Sequence, residues 1–226
     1  MNELLSALKI SSFTTMLKGY RDAKIEIGSV IDGGAGAGST ARSMLRAYPE
    51  LCRCYAFEPF PGNHRFFEGA DERILLKKQA LGNKSQTAKF EVPSVVPEAS
   101  EWGEQGMAGY SSVGSLSIRN RPGSQTIEVD CVRAEDVVTP GEKIGFIKLD
   151  LQGGEVDAIE GMSALLGDVE FMWVEYLGNP DLYDTMSELG FMLFDTKYVF
   201  RGEPTPEALE IFDLAFTKHA STGQLR

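Results

Sequence analysis

Cysteine and histidine are scarce in this chain of 226 residues, which holds three cysteines and two histidines. A small, odd number of cysteines is unlike a disulfide scaffold and indicates a reducing compartment. Cys52 and Cys54 stand two residues apart, but no neighbouring Cys or His completes a zinc-binding set, so we expect buried thiols there. These counts argue against a fold held together by disulfides or zinc.

Positive charge and long apolar runs are also in short supply. Lys and Arg number 22 against 33 Asp and Glu, which gives a formal net charge of −11. A nucleic-acid-binding protein needs a basic face, and none is visible here. No stretch approaches the ~20 apolar residues of a membrane span, and the start of the chain lacks a signal-peptide pattern. We therefore expect a cytoplasmic protein that binds neither nucleic acid nor membranes.

The chain does have enough apolar sequence for a core, since 42% of its residues are hydrophobic. Its length suits one domain, residues 1–226. Apolar runs alternate with helical spacing, which predicts a mostly parallel sheet with helices on both faces and an antiparallel strand inserted at one end. The predicted strands are 29–32, 54–59, 73–82, 87–94, 145–152, 169–176, 191–200 and 209–219, and the predicted helices are 39–49, 60–70, 155–166 and 179–190.

Two segments stand outside this alternation. An N-terminal segment, 1–24, has helical spacing over residues 3–18 and is expected to pack over a sheet edge. Residues 93–125, rich in Gly, Ser, Pro and Glu, form a loop insert that is either a surface insert or a substrate lid. Within it, Tyr110, Ser111, Ser112 and Ser115 either bind a polar acceptor or serve as ordinary turn residues.

A glycine loop follows the first predicted strand, in the stretch IDGGAGAGST at residues 31–40. Gly34, Gly36 and Gly38 alternate, which allows sharp turns and removes Cβ atoms that would keep a ligand away from the backbone. The following helix, with Ser39 or Thr40 as its expected cap, offers unpaired N–H groups to ligand oxygens. This strand–loop–helix context favours a ligand cradle over a linker.

The residues around the loop favour S-adenosylmethionine over a dinucleotide. A dinucleotide fingerprint, G-x-G-x-x-G/A, fails at Ser39, and the carboxylate of Asp32 would repel a pyrophosphate. The ammonium and sulfonium of S-adenosylmethionine are favoured by such a carboxylate. Glu58, 24 residues after Gly34, is placed to accept both ribose hydroxyls, or alternatively caps the turn before Pro59.

Four acids fall at the ends of predicted strands: Asp32, Glu58, Asp150 and Glu175. Ligands of open parallel sheets bind beyond these ends. Asp150 is the first candidate for a site role, with cofactor contact favoured over general base, and Glu175 is the best candidate for substrate contact. Glu155 is expected to open a helix, and His64 is a weaker candidate base. We predict no metal site.

The chain resembles the FkbM-type S-adenosylmethionine-dependent methyltransferases over about residues 29–176. The resemblance is carried by IDGGAGAGST, YAFEPFPGN, QALGNKSQTAKFEV, SSVGSLSI, IKLDLQGGEVDAIEGM and VEY. It implies a class I methyltransferase fold, Rossmann-like, with a mostly parallel seven-stranded sheet and an antiparallel last strand. It also implies O-methylation of a hydroxyl on a small-molecule acceptor such as a sugar, a polyketide or another metabolite.

By this resemblance, residues 32–38 cradle the methionine part of the cofactor and Glu58 holds the ribose. Ala80 and Leu81 lie beside the adenine, and Asp150 lies near the amino group or the transferring methyl. Gln152 stands where the family commonly has Glu, and the segment CVRAEDVV also departs from the family pattern.

The sequence thus predicts a methyltransferase that uses S-adenosylmethionine. Its predicted cofactor-binding residues are Asp32, Gly34, Gly36, Gly38, Ser39, Thr40, Glu58, Ala80, Leu81 and Asp150, and its predicted catalytic residues are Asp150 and Glu175. Two alternatives stay open: a nucleotide-dependent oxidoreductase or epimerase, for which no Tyr-x-x-x-Lys pair is found, and a noncatalytic cofactor-binding protein, which the Gln152 change keeps in view.

Overall fold

The computed structural model describes residues 13–93, 114–116, 123–200 and 209–217. The α-helices in these ranges are α1 (Phe13–Asp22), α2 (Ser39–Ala47), α3 (Glu155–Glu160) and α4 (Asp181–Glu188). The strands are β1 (Ser29–Gly33), β2 (Cys54–Phe57), β3 (Ile74–Lys77), β4 (Ala80–Leu81), β5 (Gln86–Pro93), β6 (Ser124–Val132), β7 (Ile144–Leu149), β8 (Phe171–Glu175), β9 (Met192–Phe200) and β10 (Leu209–Thr217). Short 3-10 helices span Pro61–Phe67, Ala134–Asp136 and Ser163–Leu165.

Seven of the strands form one sheet in the order β3-β2-β1-β7-β8-β10-β9. Neighbours from β3 to β8 pair in parallel, whereas β10 pairs antiparallel with both β8 and β9. This arrangement confirms the predicted fold, a mostly parallel seven-stranded sheet with an antiparallel last strand. The strand order reverses between β1 and β7, which is the point where sheets of this kind bind ligands.

Successive side chains along each strand point to opposite faces of the large sheet, so its buried strands present apolar side chains on both faces. Helices cover both of these faces. On one face, Val30 and Phe146 pack with residues of α1 and α2 in an apolar cluster. On the other face, their chain neighbours Ile31 and Ile147 pack with residues of α3 and α4. The two clusters enclose the sheet and fix the strand ends that carry the predicted acids.

The N-terminal helix α1 packs over the middle of the sheet, and not over its edge as the sequence analysis predicts. The ring of Phe13 stacks on Phe146 of β7 with centroids 6.5 Å apart, and Tyr20 contacts Phe171 of β8 at 6.2 Å. Both partners belong to inner strands, and their large apolar faces draw the helix inward. Residues 1–12 of the predicted N-terminal segment lie outside the described residues.

A second, three-stranded sheet has the order β4-β6-β5, with β4 parallel and β5 antiparallel to β6. The sequence analysis missed β6, although Ile127, Val129 and Cys131 alternate with polar residues there, a pattern typical of a half-buried strand. A small apolar cluster that includes Phe90 and Val129 joins this sheet to the rest of the fold.

The predicted insert, 93–125, is described only at its two ends and at residues 114–116. Residues 94–113 and 117–122, which include Tyr110, Ser111 and Ser112, lie outside the described residues, so the lid hypothesis stays a prediction. Ser115 is fully buried and pairs with Glu91 through two backbone hydrogen bonds of 2.8 and 3.0 Å. Among the described helices, none is long and apolar enough to cross a membrane.

Candidate cofactor pocket and acidic site

A pocket opens beyond the carboxyl ends of β1, β2 and β7. Five of the predicted site residues line it: Gly34, Glu58, Ala80, Leu81 and Asp150. The second sheet contributes an apolar wall through Phe90, and the described part of the insert contributes Leu116. Residues from six separate stretches of sequence therefore meet at one cavity.

The glycine loop is shaped by two different demands on its backbone. Gly34, Gly36 and Gly38 all have positive φ angles, of 72°, 55° and 75°, which side-chain-bearing residues rarely adopt. A Cβ on Gly34 would stand 1.9 Å from the carbonyl oxygen of Asp150, so the loop crosses the chain after β7 at the closest range. A Cβ on Gly36 would meet nothing within 4 Å. Gly34 thus serves packing, whereas Gly36 borders open space.

Glu58 follows β2 and is 3% exposed. Its Oε2 accepts a hydrogen bond from the backbone N–H of Gly36 at 2.7 Å, and its Oε1 accepts one from Phe60 at 2.8 Å. Burial raises the pKa of the Glu58 carboxyl to about 7, although these backbone donors and Asn63 act in the opposite direction. The side chain therefore ties the glycine loop to the end of β2 while it lines the pocket.

Asp32 and Lys148 are paired residues on the neighbouring strands β1 and β7. The Nζ atom of Lys148 lies 3.6 Å from Oδ1 of Asp32, 3.3 Å from Oδ2 of Asp150 and 3.4 Å from the carbonyl oxygen of Gly34. Burial alone would lower the pKa of the Lys148 ammonium, but Asp150 and Asp32 outweigh burial and raise it. A buried cation therefore joins the glycine loop to the acid that lines the pocket.

The Asp32 carboxylate is fully buried and lies off the pocket wall. Within the described part of the chain, neither of its oxygens makes a well-formed hydrogen bond, although the Lys148 ammonium at 3.6 Å and the backbone N–H of Ala41 both act to lower its pKa. Burial raises the pKa of Asp32 to about 6, against the opposing effect of Lys148. The side chain is therefore short of donors in a place where such groups are costly.

Asp150, Gln152 and Glu175 form a hydrogen-bonded group beside the pocket. The Nε2 atom of Gln152 donates to Oδ1 of Asp150 at 3.2 Å and lies 2.7 and 2.8 Å from the two oxygens of Glu175. Burial, with the charges of Asp150 and Glu155, raises the pKa of Glu175 to about 8. Glu175 does not line the pocket itself, but Gln152 connects it to Asp150, which does.

Two further candidates have structural partners. The Oε1 atom of Glu155 accepts backbone hydrogen bonds from Leu151 at 2.9 Å and Gly153 at 3.2 Å, which fixes the turn after β7. The Nε2 atom of His64 lies 2.9 Å from the carbonyl oxygen of Glu58 and donates to it, because a carbonyl only accepts. Neither side chain lines the pocket.

The other predicted cofactor-binding residues, Gly36, Gly38, Ser39 and Thr40, do not line the pocket. Ser39 and Thr40 begin α2, but the residue before the helix is Gly38, and no side chain caps it with a hydrogen bond. The expected cap by Ser39 or Thr40 is therefore wrong. Gly38 has a left-handed backbone, which turns the chain directly into the helix without a side-chain acceptor.

Sequence reasoning missed Lys148. Its signal is a lysine inside the apolar run of β7, whose six residues are all buried. A buried lysine requires a counter-charge, and the acids at the neighbouring strand ends supply it. Of the two thiols expected to be buried, Cys54 is buried, but the expectation is wrong for Cys52, which precedes β2 and is exposed. Cys131 is also buried. In the ranges that the structure describes, no three His, Cys, Asp or Glu side chains are arranged to hold a metal ion.

Comparison with known proteins gives a family. The family model described as "Methyltransferase FkbM domain" matches residues 32–200. The 2-O-methyltransferase NoeI of Sinorhizobium fredii (strain NBRC 101917 / NGR234) is 26% identical over 160 residues, which are 69% of this chain and 65% of the relative. The crystal structure of methyltransferase FkbM from Methylobacillus flagellatus KT has a TM-score of 0.51 and 14% identity, and the match covers 83% of this chain and 43% of that chain.

The chain thus spans less than two thirds of the length of both proteins. The likeness to the Methylobacillus structure is one of fold. Because the family model covers most of the sequence, including every strand end that lines the pocket, the chain belongs to the FkbM methyltransferase domain family.

Proposed function

We propose that this protein transfers the methyl group of S-adenosylmethionine to a hydroxyl of a small polar or sugar-containing acceptor. The observation that carries the proposal is the pocket at the reversal of strand order. There Gly34, Glu58, Ala80, Leu81 and Asp150 converge, five residues to which the family resemblance assigns cofactor contacts. Membership of the FkbM methyltransferase family supports the same reaction class.

The residues of the pocket fit this cofactor on three counts. Leu81, Phe90 and Leu116 offer an apolar surface for a purine ring. Glu58 offers a buried carboxylate for ribose hydroxyls, since its two backbone donors use only about half of the roughly four acceptor sites of a carboxylate. Gly36 borders open space, which suits a ligand pressed against the loop.

The charges of the pocket favour a cationic ligand over a phosphorylated one. The carboxylates of Glu58 and Asp150 both line the cavity, and a pyrophosphate would be repelled by them. The ammonium and sulfonium of S-adenosylmethionine would be attracted. This argument supports S-adenosylmethionine over the dinucleotide of an oxidoreductase or epimerase.

The bound cofactor supplies an electrophilic methyl group on a positively charged sulfur. A hydroxyl acceptor must in turn lose its proton, and a base works best when its pKa lies near the working pH. Glu175, with its pKa raised to about 8, suits that role, with the proton taken up at a carboxylate oxygen. Lys148 and Gln152 hold Asp150 between them at the pocket wall.

The acceptor is proposed as a neutral or cationic hydroxyl compound. The Asp150 carboxylate on the pocket wall disfavours phosphorylated acceptors, nucleic acids included. The printed name of the relative NoeI specifies 2-O-methylation, so sugars with a free 2-hydroxyl are the first acceptors to test.

Cofactor binding is tested by calorimetry with S-adenosylhomocysteine, the demethylated product. Wild-type protein is expected to bind, and Glu58→Ala is expected to bind about 10- to 100-fold more weakly because a charge-assisted hydrogen-bond acceptor is lost. Glu142→Gln, at the opposite end of the sheet, is the matched control and should bind as wild type does. Absence of binding to the wild-type protein would overturn the cofactor assignment.

Methyl transfer is tested with a panel of glycosides that carry a free 2-hydroxyl and with their 2-deoxy counterparts. Release of S-adenosylhomocysteine is expected with the first group and not with the second. Binding of the cofactor product without turnover of any acceptor would favour the noncatalytic alternative.

A further inference from the structure

Gln152 has a backbone conformation that is unusual for a residue with a side chain. Its φ angle is +57°, in the left-handed region that glycine tolerates best. Such a conformation costs free energy and persists where the surroundings enforce it, often at functional sites. Here the carbonyl oxygen of Gln152 accepts a hydrogen bond of 2.8 Å from the Oγ of Ser115, a fully buried residue of the insert.

The side chain of Gln152 is held between two carboxylates. Its amide nitrogen has two hydrogens and faces three carboxylate oxygens, one on Asp150 and two on Glu175. Three acceptors around one group identify that group as the nitrogen of the amide, which can donate to them. The amide thus bridges the acid on the pocket wall and the candidate base.

The charges facing Glu175 are mostly negative. Asp150 and Glu155 both act to raise the pKa of Glu175, together with burial. The Lys148 ammonium on β7 is the cation that interacts with it. In the register of the neighbouring strand β10, Asp213 is the position paired with Glu175. In these surroundings the amide of Gln152 stabilises the ionised form of Glu175, since it donates to both oxygens.

We propose that Gln152 is a positioning residue that keeps Glu175 available as a proton acceptor, and that Ser115 of the insert fixes Gln152 for this task. The inference rests on the proposed function of Glu175 as base. It extends that function by linking the insert to the proton-transfer step through one backbone hydrogen bond. Gln152 itself needs no contact with the cofactor or the acceptor.

The test follows the ionisation of Glu175 directly. The full chain is labelled with ¹³C at the glutamate carboxyl carbon, and the carboxyl resonances are titrated by NMR, with Glu175→Gln used to assign the signal. In Gln152→Met, which keeps the length of the side chain but has no donor, the midpoint of Glu175 should rise by about one pH unit. Gln152→Glu should raise it further, because a third carboxylate joins the group.

Two more variants distinguish the effect of the Gln152 side chain from that of its backbone. Gln152→Gly relieves the left-handed backbone and removes the amide, so it should show the raised midpoint even if Gln152→Met folds poorly. Ser115→Ala should raise the midpoint in the same direction by a smaller amount. In variants that turn over, the rising limb of kcat/KM against pH should move with the NMR midpoint.

An unchanged Glu175 midpoint in both Gln152→Met and Gln152→Gly would overturn the role of Gln152. A shift in those variants without one in Ser115→Ala would overturn the role of Ser115. Because the titration needs no cofactor or acceptor, a wild-type protein that fails to methylate refutes the proposed function and leaves this measurement interpretable.

Discussion

Both ends of the large sheet carry acidic side chains, but the two sets differ in how many hydrogen-bond donors surround each carboxylate. At the amino ends of the strands, Glu142 is 10% exposed and accepts hydrogen bonds from Ser29 and Arg53. Tyr55 completes the group, with its hydroxyl 3.5 Å from Glu142 and 2.8 Å from Thr139. Three donors, the Ser29 hydroxyl, the Tyr55 phenol and the Arg53 guanidinium, surround a single carboxylate there.

At the carboxyl ends of the strands, several carboxylates share few cations and donors. Asp32, Glu58 and Glu175 have pKa values raised to about 6, 7 and 8, in each case chiefly through burial. The Lys148 ammonium is shared by Asp32 and Asp150, and the amide of Gln152 is shared by Asp150 and Glu175. A shortage of donors, more than the presence of buried acids, therefore distinguishes the end of the sheet at which we propose that the cofactor binds.

The largest effect is expected when the buried cation is removed. Lys148→Met leaves Asp32 and Asp150 without their shared counter-charge and should lower the free energy of unfolding by about 3–5 kcal/mol at neutral pH. The measurement is urea denaturation. Adding Asp32→Asn to this variant should recover part of the loss, and a double variant as unstable as the single one would contradict the charge argument.

The glycine loop offers a matched pair of variants. Gly34→Ala forces a Cβ against the Asp150 carbonyl in a left-handed conformation, so we expect a loss of about 3 kcal/mol in the free energy of unfolding. Gly36→Ala shares the positive φ without the clash and should cost about 1–2 kcal/mol. Gly36→Ala should nevertheless weaken binding of S-adenosylhomocysteine. Equal stabilities for the two variants would show that the crossing at Asp150 is not a constraint.

The acids at the carboxyl ends of the strands should also make the free energy of unfolding depend on pH. Acids with raised pKa values bind more protons in the folded state, so their contribution is greatest at low pH and is lost as pH rises through about 6, 7 and 8. We expect the free energy of unfolding of the ligand-free protein to fall by several kcal/mol between pH 5 and pH 8.5, because each pKa unit corresponds to about 1.4 kcal/mol. Glu58→Gln should flatten this slope, whereas Glu142→Gln should leave it unchanged.

The smallest effect is expected at the amino end. Arg53 is 46% exposed, so its ion pair with Glu142 is screened by water. Arg53→Ala should lower the free energy of unfolding by less than about 1 kcal/mol and leave cofactor binding unaltered. A loss of affinity for S-adenosylhomocysteine in this variant would show that the two ends of the sheet are coupled.

Much of the fold follows from patterns that short stretches of sequence carry. The buried runs around Ile31 and Ile147 and the helical spacing between strands predict the parallel sheet, and the final strand pair predicts the antiparallel strand. Glu58 and Asp150 can be predicted because an acid directly after a buried strand of a parallel sheet lies at the edge where ligands bind. The prediction that Ala80 and Leu81 belong to the site depends on the family resemblance.

The remainder depends on contacts that no short stretch reveals. Strand β6 lies next to the insert, and the choice of its partners β4 and β5 is made by tertiary packing. The role of Lys148 depends on register, because β1 and β7 must be neighbours before Asp32 can face it. The bridge made by Gln152 depends on a strained backbone, which composition does not disclose.

The contact between the glycine loop and the segment after β7 has a consequence for how this protein folds. Gly34 and Lys148 are 114 residues apart in the sequence, yet they meet at the centre of the sheet. The contacts of the glycine loop therefore cannot be completed by the first half of the chain alone. Pairing over such a distance is slow, because a long loop must close before any contact compensates for the lost entropy. Until β7 has been synthesised and inserted beside β1, the polypeptide presents an unfinished sheet edge, and that interval is when it most needs protection from aggregation.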